Sequence, residues 1–138
     1  MKPVVQEEMT GCAIAAVAAA AGVTYRQGQR AAHSLGIFAQ DKALWSQTYH
    51  VRKLLKYFAI GASPKQMPFR SWTSLPGLAL LSVKWHLEGG KPFWHWVLFV
   101  RENDKSYVLD SKKALRHHTR TDFGRLHPKW YIALRQPL

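Results

Sequence analysis

Four residues of this chain have the types and the order needed to attack an amide carbonyl: Gln6, Cys12, His95 and Asp110. Cys12 is the only cysteine, and it opens the apolar run Ala13-Ile-Ala-Ala-Val-Ala-Ala-Ala-Ala21. Its thiol therefore falls at a helix start. A thiol attacks as the thiolate, and the unpaired N–H groups and dipole of a helix N-terminus favour that form. A lone cysteine is commonly just a small buried hydrophobe, so its position does not settle the matter. Gln6 adds to the chemical reading. A neutral amide shortly before the nucleophile can offer its NH₂ to a developing oxyanion, alongside the Cys12 backbone N–H.

The second half of the constellation lies far downstream. Trp94-His95-Trp96-Val-Leu-Phe-Val100 and Tyr107-Val-Leu-Asp110 flank the polar stretch Arg101-Glu-Asn-Asp104, the pattern of a β-hairpin. Pairing Val100 with Lys105 sets Val97 opposite Val108 and His95 directly opposite Asp110. Cross-strand neighbours have Cβ atoms about 5 Å apart, within reach of an imidazole–carboxylate hydrogen bond. A slip of one residue would send the two to opposite faces, so the turn decides the contact. An Asp partner there would orient the ring and support its charged form.

The remaining histidines carry less. His33 and His50 fall on helices, His86 ends a strand, and His117, His118 and His127 lie in a basic C-terminal stretch. With no second cysteine and no helical His-x-x-x-His, no metal site is expected. Gly89-Gly90-Lys91-Pro92 reads as a turn and not as a phosphate loop. No cofactor is expected.

The elements that must position these groups follow from periodicity and punctuation. Helices are predicted over 12–21, ended by Gly22, over 25–34, capped by Thr24 and closed by Gly36, and over 46–59, ended by Gly61. A Pro- and Ser-containing loop follows. Apolar runs at 78–85, 93–100, 106–109 and 130–134 then read as strands. Helices first and an antiparallel sheet afterwards give a single α+β domain over residues 1–138.

At 138 residues the chain can bury a core without disulfides. It carries 20 Lys+Arg against 8 Asp+Glu, a net charge of +12. That excess favours acidic or polyanionic partners and speaks to association, not fold. The longest apolar run, Ala13 to Val23, is shorter than the ~20 residues of a membrane span. Glu7 and Glu8 stand where a signal peptide carries positive charge. A cytoplasmic protein, or one exported without a Sec signal, is expected.

The order Gln6, Cys12, an alanine-rich helix, a late His95 strand and Leu109-Asp110 resembles the papain-like cysteine peptidases. It looks most like the compact bacterial kind that trims double-glycine leader peptides from bacteriocins. The resemblance implies a papain-like α+β fold, N-terminal helices on a C-terminal antiparallel sheet. It also implies roles: Cys12 as nucleophile, His95 as base, Asp110 as its orienter and Gln6 in the oxyanion hole. Where that family carries Asp-Cys-Gly, this chain has Gly11-Cys12-Ala13. The expected reaction is acyl transfer from a peptide or protein substrate, acidic in character, to water; an amine acceptor would make it a transferase. The competing reading is a non-enzymatic basic module that binds nucleic acid or protein. Its support is the charge, above all from Lys112 to Arg135, but most tryptophans lie in apolar runs better explained by core packing.

Overall fold

The computed structural model describes residues 1–135. Three helices come first: α1 (Cys12–Ala21), α2 (Tyr25–Ser34) and α3 (Tyr49–Tyr57). Seven strands follow: β1 (Gly61–Ala62), β2 (Met67–Pro68), β3 (Leu78–Glu88), β4 (Lys91–Glu102), β5 (Lys105–Leu109), β6 (Thr119–Arg120) and β7 (Trp130–Arg135). No helix among the described residues is long and apolar enough to cross a membrane.

Local sequence explains the helix ends. Gly22 takes the left-handed conformation (φ 71°) that closes α1. Thr24 and Gln27 form a reciprocal capping box at the start of α2. The third helix is shorter than its periodicity suggests. The Ser46 hydroxyl donates to the Pro92 carbonyl at 2.7 Å and the Trp45 carbonyl accepts from Trp94 N–H at 3.0 Å, which ties that stretch to β4. At the other end Ala59 (φ 58°), not Gly61, makes the left-handed turn, and Gly61 enters β1.

The sheet is antiparallel in the order β1-β7-β3-β4-β5-β6, with β2 also paired to β7. One face carries Leu80, Trp96, Leu98, Leu109 and Ile132 against Ile14, Val17, Leu54 and Leu55 of the helices. The other carries Val83, Val97, Phe99 and Val108 beneath Leu75, Trp72, Phe123 and Leu126 from the connecting loops. Burial on both faces is why 93–100 reads as a nearly unbroken apolar run. Trp96 donates its indole N–H to the Leu44 carbonyl at 2.7 Å.

Two local features of the sheet set up the site. Asn103 (φ 52°) and Asp104 (φ 63°) form a two-residue hairpin turn, so Glu102 pairs with Lys105 and Leu98 with Leu109. The expected pairing of Val97 with Val108 is thereby shifted by two residues, to Phe99 with Val108. A shift of two preserves the faces. In the neighbouring ladder a bulge separates the pairs Val83–His95 and His86–Phe93, and within it Lys84 adopts φ 53°.

Candidate active site

β5 stops at Leu109, opposite Leu98, so it gives His95 no pairing partner on that side. Asp110 follows immediately and lies diagonally from His95. Its Oδ1 is 2.8 Å from His95 Nε2. The chain holds Asp110 firmly: its N–H donates to the His118 carbonyl at 2.8 Å, and its own carbonyl lies 2.8 Å from His118 Nδ1. Oδ1 also accepts from Lys112 N–H at 3.2 Å, and Oδ2 from Arg120 Nη1 at 2.9 Å. The side chain is almost fully buried.

These contacts fix the charges. Burial alone would raise the Asp110 carboxyl, but His95 above all, with Lys112 N–H and Arg120, holds it down at about 2. Burial works against a charged His95 ring. The hydrogen bond to Asp110 and the interaction with Cys12 outweigh it, and the His95 pKa is pushed up to about 9. The ring is thus an imidazolium at neutral pH. With Nε2 held by Asp110, Nδ1 is the nitrogen left for Cys12.

Cys12 is the first residue of α1 and is 6% exposed. Its backbone N–H donates to no backbone carbonyl among the described residues, as expected of a first-turn amide. The segment before it is braced from behind. Glu8 Oε1 accepts from the Tyr25 hydroxyl at 2.6 Å and from Gln29 Nε2 at 2.9 Å, while Gly11 N–H donates to the Glu8 carbonyl at 3.1 Å.

Gln6 is buried in the same segment. Its Nε2 donates to the carbonyls of Glu8 and Met9, at 3.0 and 2.7 Å, and its Oε1 accepts from the Ser111 hydroxyl at 2.8 Å. Gln6 N–H donates to the Ser111 carbonyl at 3.0 Å. The residue next to Asp110 therefore anchors the glutamine, joining the two ends of the constellation.

The structure gathers Gln6, Cys12, His95 and Asp110 in one region. Ser111, His118, Arg120, Glu8 and Tyr25 were not singled out by sequence reasoning as parts of it. Only Ser111 carried a signal, its adjacency to Asp110. Among the described residues no three His, Cys, Asp or Glu side chains converge as a metal site would require.

The fold is similar to that in the crystal structure of a double glycine motif protease from an AMS/PCAT transporter in complex with the leader peptide. The TM-score is 0.62 at 15% sequence identity, covering 99% of this chain and 91% of the other. No family model matches the chain, and no curated protein matches it in sequence. At that identity the likeness establishes the architecture, a papain-like α+β domain with helices packed on an antiparallel sheet.

Proposed function

We propose that the domain is a cysteine peptidase that hydrolyses a peptide bond through Cys12, His95 and Asp110. The observation that carries this reading is the His95 ring, fixed by Asp110 at 2.8 Å and interacting with the cysteine at the head of α1. In this reading the attacking species is the Cys12 thiolate, with the His95 imidazolium beside it as the proton donor. The Cys12 sulfur adds to the carbonyl carbon, and the new oxyanion accepts from Cys12 N–H. His95 then donates its proton to the departing amine, the C–N bond breaks, and a thioester remains. Water, deprotonated by His95, releases the acid product and restores the thiolate.

Gln6 is the second oxyanion donor in this reading. Its NH₂ donates to the Glu8 and Met9 carbonyls, so it must exchange one of these bonds as the oxyanion forms. That exchange makes its contribution specific to the transition state.

A leader peptide bearing Gly-Gly is the substrate to try first, because the similar protease was crystallised with its leader peptide. The experiment is cleavage of such a peptide by the wild type and by Cys12→Ala, with iodoacetamide labelling of Cys12 at pH 6 in the wild type and in His95→Ala. Labelling at least about tenfold faster in the wild type, with cleavage lost in Cys12→Ala, supports the reading. Equal labelling rates overturn it. Salt-sensitive nucleic-acid binding that is unchanged in Cys12→Ala would transfer the function to the basic surface.

A further inference from the structure

Beside the His95–Asp110 pair the chain concentrates positive charge that it does not neutralise. Asp110 is matched by His95 and Arg120, and Arg120 also binds Asp122 through paired contacts of 2.9 and 2.7 Å. Lys84, Lys112 and Lys113 have no acidic partner among the described residues. Lys112 follows Asp110 closely and its backbone N–H binds that carboxylate. Lys84 sits in the β3 bulge next to Val83, the residue paired with His95.

Lys84 is held there against its local preference. A non-glycine residue at φ 53° is disfavoured by about 1–2 kcal/mol, and bulges recur beside active sites, where they re-aim a side chain. The Lys84 ammonium is destabilised first by burial and then by Lys112 beside it, whereas Asp110 compensates only in part. Asp110, the acid group acting on Lys84, is already engaged by His95 and Arg120, so the positive charge of Lys84 and Lys112 beside this pair is left for a further anion. On the Lys112 side lies a cavity of about 420 Å³, lined by Gln6, Glu7, Met9, Lys112, Lys113 and Ala114. It runs past the oxyanion glutamine and carries one carboxylate, Glu7, which lies 3.8 Å from Arg26.

We propose that Lys84 and Lys112 form a carboxylate-recognition site beside Cys12 and His95, which receives an acid group of the substrate next to the bond under attack. The inference rests on the peptidase reading and gives it a substrate class: peptides with an acidic side chain, or a free chain terminus, adjoining the scissile bond. Its use is specificity. The lysine pair adds affinity for the acid and leaves two like charges together when a neutral residue is presented.

Small electrophiles test this without knowledge of the natural substrate. Alkylation of Cys12 is measured with iodoacetyl-aspartamide against iodoacetyl-asparaginamide, and with iodoacetyl-glycine against iodoacetyl-glycinamide, each ratio divided by that for glutathione. The expected acid preference is about fivefold, the upper range for one exposed ion pair, and it shrinks at 0.5 M salt. It falls towards one in Lys84→Gln and in Lys112→Gln, two independent variants, and persists in Lys105→Gln at the distant hairpin. Preference for the aspartamide assigns a side-chain carboxylate, and preference for the glycine probe a terminal one. Ratios near one with both pairs, on a Cys12 that alkylates readily, overturn the site and leave the peptidase reading intact. A Cys12 inert to all four probes overturns the peptidase reading and the site with it.

Discussion

The Tyr25 hydroxyl occupies the space that a side chain at residue 11 would need, and only Gly11 leaves it open. That hydroxyl donates to Glu8, whose carbonyl in turn accepts from Gly11, so the turn leading into Cys12 is built around the first residue of α2. The position of Cys12 is thereby tied to a contact between the starts of two helices.

Gly11→Ala should displace Tyr25 and cost about 1–3 kcal/mol, the usual penalty for inserting a methyl group into a packed site. Urea unfolding measures it. Adding Tyr25→Phe, which removes the obstructing oxygen, should recover part of the loss. Strict additivity of the two substitutions would show that they do not act on one contact.

Asp110→Asn keeps the shape of the side chain but removes the charge that orients and stabilises the His95 imidazolium. We expect peptidase activity to fall on the order of 10²–10⁴-fold with the circular dichroism spectrum retained, and Asp110→Ala to fall at least as far. Joint loss of activity and fold would mark Asp110 as structural, and full activity would remove it from the mechanism.

The same pair makes stability depend on pH in a defined direction. His95 titrates near 9 in the folded chain against an ordinary 6.5. Its contribution is therefore fully present below about 6.5 and is lost as pH rises through 9. The size is on the order of 3 kcal/mol. Asp110, near 2 against an ordinary 3.8, contributes above 3.8 and loses that contribution as pH falls towards 2. Unfolding free energies from pH 6 to 10 for the wild type and His95→Gln check the basic limb. Parallel curves would mean that His95 carries no such linkage.

Residues with strong local preferences made much of the fold legible in the sequence. Gly22 and Thr24 end and begin helices by backbone geometry and capping, and both act where their types indicate. Ala59 gave no such sign: its left-handed turn accompanies the Ile60 N–H bond to the Leu55 carbonyl and the burial of Ile60, and the end of α3 moved accordingly. The hairpin register differed by two because Asn103 and Asp104 alone make the turn. The His95–Asp110 contact survived that difference, since an even shift leaves both on one face. β1, β2 and β6 have two residues each, too few for any periodicity to show. The partners of Gln6 and the turn at Lys84 depend on segments distant in sequence, and nothing in their own neighbourhoods announces them.

Nine of the ten residues of α1 are buried, and most are alanines that pack without reaching far. Such a helix has no solvent-facing side from which to fray or swing. From Ala15 onward, where the amides are hydrogen-bonded, its amide protons should exchange with deuterium only when the whole domain unfolds, at a rate set by global stability. The residue at its head is then held as immobile as the protein's interior. Any rearrangement at this end of the helix must come from the loops around Cys12, not from Cys12 itself.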